Sequence, residues 1–217
     1  MTDRLIEADT SLAHFVMVRH GQTDWNAAGR WQGWLDSPLT ATGLMQAREA
    51  SQRLKEYHFA GAYSSDAGRA IETARIIAEP HGIKVQVALE LRERFYGGYE
   101  GLNSEEIDLR FPGTRYLAGR DTRDDWRPPE GETLVEVKKR THEFLIRLAR
   151  QYAGQLVLLV SHSGVLRVCD SLASGLPLEQ IWERQPGNGA ILEFTCSPAG
   201  IMTITRHFWE QKPVAGG

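Results

Sequence analysis

The sequence predicts an α/β fold with a mostly parallel open sheet, and three observations carry the prediction. Residues 15–18, FVMV, form a short uninterrupted apolar run of the kind found in strands buried on both faces. Residues 156–160, LVLLV, form a second and stronger one. Between them, strand-like and helix-like stretches alternate, the rhythm of parallel strands joined by helical crossovers.

Each element follows in order. Behind the first strand, Leu44, Ala47, Ala50, Leu54 and Tyr57 recur at helical spacing after Thr40, whose side chain can cap a first turn. A short strand at residues 61–64 leads into a second helix with Ala70, Ile71, Ala74, Ile77 and Ala78 on one face, closed by Pro80 and Gly82. Residues 84–88 alternate weakly as a strand. The stretch from 92 to 125 is polar and loop-like, with at most a short helix at 104–110. A long amphipathic helix over 133–152 turns Leu134, Val137, Thr141, Phe144, Leu145 and Leu148 inward. After the strand at 156–160 come a helix at 165–173 and two closing strands, 190–195 and 201–206, around the turn CSPAG. The chain, 1–217, reads as one domain, with flexible ends at 1–13 and 212–217 and a lid-like insert at 92–130.

Composition narrows the function classes. At 217 residues, the chain suffices for one large core, and 41% hydrophobic with 24% charged residues is ordinary for a globular protein. A net charge of −3 without a basic block argues against nucleic-acid and membrane-surface partners, so any anion site must be local. Cys169 and Cys196 stand far apart and form no CxxC pair, which implies two buried free thiols in a reducing compartment. No signal peptide is expected at the N-terminus, and the run at 156–160 is too short to span a bilayer; the expected location is the cytoplasm. His14, His58, His81, His142 and His207 lack metal-ligand spacing and read as surface or cap residues, and no GxGxxG follows the first strand.

The chemistry concentrates where strands end. FVMV runs straight into Arg19-His20-Gly21, LVLLV into Ser161-His162-Ser163-Gly164, and the strand at 61–64 into a helix start that carries Arg69. In open α/β sheets, ligands collect at the carboxyl ends of strands, so two histidines and two arginines are expected to meet at one edge. Arg69 stands near the expected N-terminus of its helix, where the macrodipole disfavours a cation by about 0.3–1 kcal/mol, and an anion nearby would remove the conflict. His162 precedes a helix whose first N–H groups make an anion site. A phosphate fits both. One imidazole could attack phosphorus while the arginines hold its oxygens. Glu93, in LRERFYGGYEG, is the candidate proton donor, on a loop that Gly97 and Gly98 let fold closely. Trp25, Trp31 and Trp34 either border the pocket or pack their loop onto the sheet.

Six ordered blocks, VRHGQTDWN, GRWQGWLDSPLTATG, YSSDAGRAIETA, LRERFYGGYEG, PEGET and LVSHSG, resemble the histidine phosphatase superfamily, the group that includes cofactor-dependent phosphoglycerate mutase and its phosphatase relatives. The resemblance implies a three-layer α/β/α sandwich and needs no metal or organic cofactor. It makes His20 the phosphate acceptor, with Arg19, Arg69 and His162 completing the phosphate pocket and Glu93 donating the proton. It further implies that Asn26 approaches the phosphate and that Thr23, Gln32 and Gly33 line the site.

Two departures bear on the reaction. Relatives commonly have glycine after the second histidine, where this chain has Ser163, whose N–H can still bind phosphate. Glycolytic mutases of the family carry a tryptophan-arginine-arginine cluster in a basic insert; here Arg110, Arg115, Arg120, Arg123 and Arg127 are scattered, Asp121, Asp124 and Asp125 intervene, and Pro128 follows Trp126-Arg127. A mutase must keep water from its phosphohistidine, whereas a phosphatase admits it. The expected activity is therefore metal-independent hydrolysis of a small phosphorylated metabolite. The alternatives are a 2,3-bisphosphoglycerate-dependent phosphoglycerate mutase and a catalytically weak phosphate-binding or interaction protein of the same fold. The family includes monomers, dimers and tetramers, which leaves a homodimer open.

Overall fold

A computed structural model describes residues 11–114 and 126–208. The described residues build a six-stranded sheet from β1 (Ala13–Arg19), β2 (Phe59–Ser64), β3 (Val85–Val87), β4 (Leu156–Ser161), β5 (Ile191–Cys196) and β6 (Met202–Phe208), in the order β3-β2-β4-β1-β5-β6. Only β5 runs against the others. Helices are α1 (Asp24–Ala27), α2 (Ala41–Leu54), α3 (Gly68–Ala78), α4 (Ser104–Arg110), α5 (Leu134–Gln151) and α6 (Ser163–Ser174).

The period of two along the central strands makes the three layers. Val16, Val18, Leu158 and Val160 face α2 and α3 through Ala50, Leu54, Ala70, Ala74 and Ile77. Phe15, Met17, Val157 and Leu159 face α5 and α6 through Leu145, Leu148, Val165 and Cys169. Both faces are covered, as the unbroken apolar runs require. From β1 the chain leaves through α2 toward β2, whereas from β4 it leaves through α6 toward β5 on the opposite side. The carboxyl ends of β1 and β4 therefore flank a topological switch point, where a crevice forms.

Local signals act largely where expected. Thr40 caps α2 by accepting the Gly43 N–H at 3.0 Å, and Thr133 caps α5 in a reciprocal box with Glu136, each cap contributing about 1 kcal/mol. The inward stripe of α2 is shifted, however: Gly43 is buried in place of Leu44, and Tyr57 lies beyond the helix. The cause is a backbone contact. A Cβ on Gly21 would stand 2.3 Å from the Gly43 carbonyl oxygen, so the chain leaving β1 can pass α2 only as glycine. On α3, Arg69 and Thr73 are buried and Ile71 is only half-buried. Ala13, expected in a loose terminus, is fully buried at the start of β1. Residues 1–10, 115–125 and 209–217 lie outside the described residues, and with them Arg115, Arg120, Arg123, Asp121, Asp124, Asp125 and the tail at 212–217.

The insert at 92–130 has a small core of its own where it is described: Tyr96, Tyr99 and Ile107, with Trp31, Phe111 and Trp126 packed against them. Gly97 and Gly98 press against Pro129 and Phe111, so their close packing serves the insert's own fold. Cys169 and Cys196 are buried free thiols, both pushed up by burial, Cys196 to about 11. Among the described residues, no helix is long and apolar enough to cross a membrane.

Candidate active site

In the parallel β1–β4 pair, Arg19 stands opposite Ser161, so His20 and His162 leave the sheet at the same level. Their ring centroids are 5.1 Å apart, with the planes inclined by 62°. His20 Nδ1 lies 2.7 Å from the Gly21 carbonyl oxygen. A carbonyl only accepts, so Nδ1 carries the hydrogen and Nε2 keeps a lone pair. His162 Nδ1 lies 3.2 Å from Arg69 Nη2. A guanidinium only donates, so here Nδ1 accepts and the hydrogen sits on Nε2. Burial first, then the Arg69 and Arg19 charges, hold His20 well below the usual 6.5; burial and Arg69 do the same to His162. Both rings are neutral near pH 7, one offering a lone pair and the other an N–H.

Around them, donors lack acceptors. His162 Nε2, Arg19 Nε and Arg69 Nε are buried without a hydrogen-bond partner among the described residues. An unsatisfied buried donor costs about 1–3 kcal/mol, more when charged, so three together mark the place of an anion. Burial pulls Arg19 down to about 10, opposed by Glu93, which leaves it charged at neutral pH. Its Nη1 donates to the Pro186 carbonyl at 2.7 Å.

Arg69, 1% exposed, is held from behind by the Gly33 and Leu35 carbonyls and by Asp36, each at 2.8 Å. Asp36 also accepts the first N–H of α3, from Gly68, at 2.7 Å. The conflict between Arg69 and the helix dipole is thus relieved by an anion, as expected, but this anion is a carboxylate of the chain itself and not the phosphate the sequence suggested. The same holds at α6. Gly164 N–H donates to Glu93 Oε2 at 3.2 Å, and Glu93 Oε1 accepts the Arg94 N–H at 2.8 Å. Glu93 is buried, not a surface partner of Arg92, whose guanidinium pairs with Asp66. A side chain on Gly164 would collide with it, since a Cβ there lies 2.2 Å from Oε1.

A cavity of about 450 Å³ opens above these groups, lined by Arg19, His20, Asn26, Gln32, Gly33, Arg69, Glu93 and Ser163. Trp31 borders it, whereas Trp34 reaches the site through an Nε1–H bond to the Glu93 carbonyl at 3.0 Å. Thr23, expected as a lining residue, is not one. It is fully buried, and its hydroxyl caps α1 by accepting the Asn26 N–H at 3.1 Å, so it positions Asn26 instead. Sequence reasoning missed Tyr96, Arg167 and Gln185, which also line the cavity, and the supporting residues Asp36, Thr73 and Asn188. Tyr96, Asp36 and Thr73 stood inside the ordered blocks, and Arg167 had the signal of its spacing, four residues beyond Ser163 on the same helix face. Among the described residues, no cluster of three His, Cys, Asp or Glu side chains is arranged to hold a metal ion.

The sequence matches the histidine phosphatase superfamily (branch 1) over residues 15–208. A metal-independent phosphoserine phosphatase of Arabidopsis thaliana is 37% identical over 168 residues, covering 75% of this chain and 69% of that protein. A 2,3-bisphosphoglycerate-dependent phosphoglycerate mutase of Nitrobacter hamburgensis is 35% identical over 182 residues, covering 81% and 87%. A solved mycobacterial glucosyl-3-phosphoglycerate phosphatase complexed with VO3 superposes with a TM-score of 0.80 at 29% identity, covering 92% of this chain and 99% of that one. Phosphatases and mutases thus both stand among the proteins this chain resembles, and the chain belongs to the histidine phosphatase superfamily, branch 1.

Proposed function

We propose that the protein is a metal-independent phosphomonoesterase that hydrolyses small phosphorylated metabolites through a phosphohistidine at His20. The observation that carries the reading is the pairing of a lone pair on His20 Nε2 with three donors, on Arg19, Arg69 and His162, that have no partner among the described residues. The neutral imidazole attacks phosphorus, forming the N–P bond as the ester P–O bond breaks. The departing oxygen takes its proton from Glu93. In the second step Glu93 removes a proton from water, the water oxygen bonds to phosphorus, and the N–P bond breaks to return neutral His20 and inorganic phosphate. Throughout, the Arg19 and Arg69 charges and the His162 N–H meet the charge on the phosphoryl oxygens.

Hydrolysis is favoured over phosphoryl return to a bound intermediate by the two scattered arginines of the insert that lie among the described residues. Arg110 lies over the Phe111 ring, and Arg127 bonds to the Gly131 carbonyl and to Glu136, so neither lines the cavity. The mutase reading draws on the mutase relatives. An assay of 3-phosphoglycerate conversion to 2-phosphoglycerate, with and without a bisphosphoglycerate primer, separates the two. Trapping in alkali after rapid mixing with an aryl phosphate tests the intermediate: one PO3 unit bound to His20, with phosphate released, supports the reading. Turnover retained in His20→Ala would refute it, and absence of turnover on a broad panel of phosphate esters would leave a binding protein.

A further inference from the structure

The segment between the 3-10 turn Leu178–Glu183 and β5 holds the site from behind, although only Gln185 in it lines the cavity. The Arg184 carbonyl accepts Arg167 Nε at 2.8 Å, and the Pro186 carbonyl accepts Arg19 Nη1 at 2.7 Å. Asn188 reaches furthest. Its Nδ2 donates to the His20 carbonyl at 3.1 Å and to Asn26 Oδ1 at 3.0 Å, across 168 and 162 residues of sequence.

Asn26 Oδ1 also accepts the Thr23 N–H, at 3.2 Å. With two donors on that oxygen, its acceptor capacity is filled on the protein side, and the group that Asn26 has left to present to the cavity is its NH2. Amide orientation decides the sign of the interaction, because an NH2 attracts a phosphoryl oxygen and a carbonyl oxygen repels it. We propose that Asn188 is a positioning residue, which acts through Asn26 by fixing its amide donor-outward. The proposal rests on the reading of this cavity as a phosphate site.

The full-length chain tests it through Asn188→Ala, the isosteric Asn188→Asp, Asn26→Ala and the double variant Asn26→Ala/Asn188→Ala. For Asn188→Ala and Asn188→Asp with an aryl phosphate, kcat is expected to fall about 10- to 100-fold while KM moves by less than about twofold, the pattern of a donor used mainly in the transition state. Orthovanadate affinity should fall in parallel, more than that of inorganic phosphate. In the Asn26→Ala background, Asn188→Ala should add less than about a further twofold, because its route of action is gone. In the wild type, the Asn26 side-chain NH2 resonance should shift when inorganic phosphate is added, a readout that does not depend on any variant folding.

Losses that multiply in the double variant, an Asn188→Asp protein with wild-type kcat, or an Asn26 NH2 signal indifferent to phosphate would each overturn the proposal. These outcomes are separable from failure of the phosphatase reading. A wild type that binds phosphate through Asn26 without turning over esters sinks hydrolysis and leaves Asn188 its role; an intact phosphohistidine with unresponsive Asn188 variants does the reverse.

Discussion

At the end of β1, His20 sends its Nδ1 hydrogen to the Gly21 carbonyl at 2.7 Å; at the end of β4, at the same level, His162 turns a bare Nδ1 to Arg69 Nη2 at 3.2 Å. The two positions match in strand direction, burial and residue type. One outside contact on each ring differs, and that contact exchanges which nitrogen keeps a lone pair. Placing a histidine at a strand end thus does not define its chemistry; the partner of its far nitrogen does. The glycines nearby differ in the same manner. A Cβ on Gly21 meets backbone, the Gly43 carbonyl oxygen at 2.3 Å, whereas a Cβ on Gly164 meets the tip of the Glu93 side chain at 2.2 Å.

The largest expected effect separates the two rings. His20→Ala should lower kcat by about 10⁴-fold or more and leave no phosphoenzyme, because it removes the nitrogen proposed to bond phosphorus. His162→Ala should cost about 10²- to 10³-fold in kcat, the loss of one preorganised donor, yet still yield phosphoenzyme on rapid mixing. Equal losses from both, or a phosphoenzyme only in His20→Ala, would erase the distinction between the strand ends.

The glycine contrast is smaller. Gly164→Ala should reduce kcat by about 10- to 100-fold with a near-native unfolding midpoint, since the flexible carboxylate can move aside but then leaves the position from which we propose that it transfers the proton. Gly21→Ala forces two backbones apart and should destabilise by about 1–3 kcal/mol, seen as a lower urea midpoint. A Gly164→Ala protein that unfolds easily and a Gly21→Ala protein that does not would reverse the assignment.

Acid stability gives the smallest signal. Both histidines have folded-state values below the usual 6.5, so between those values and 6.5 the unfolded chain binds more protons. Their contribution is therefore complete above about pH 6.5 and is lost as pH falls below it, at a limiting slope of about 1.4 kcal/mol per pH unit for each ring. Urea midpoints compared at about pH 7.5 and about pH 5.5 should show less pH dependence in His20→Asn than in wild type. The same depression places the acid limb of kcat/KM below 6.5, where a His20 with its usual value would put it at 6.5.

Much of this was legible in the sequence because apolar runs and ordered motifs are local signals. FVMV and LVLLV located β1 and β4, and their exits supplied Arg19, His20 and His162; Arg69 at a helix start and Glu93 beside Gly97 and Gly98 were singled out by position, and Arg19, Arg69 and Glu93 meet at the same cavity. What stayed hidden is set by long-range geometry. Asn188 belongs to none of the ordered blocks, and Asp36 and Thr73 stand inside them without a mark of their own, since the importance of all three lies in bonds to residues 162, 33 and 52 positions away. Thr23 was misassigned for the same reason: cap and lining residue look alike until the hydroxyl's partner is known.

The tautomers themselves can be observed. Nitrogen-15 imidazole spectra of the ligand-free protein at neutral pH should show His20 with its hydrogen on Nδ1 and His162 with its hydrogen on Nε2, neither of them doubly protonated. Both rings in one tautomer, or an imidazolium at His20, would contradict the division of labour on which the chemistry is built.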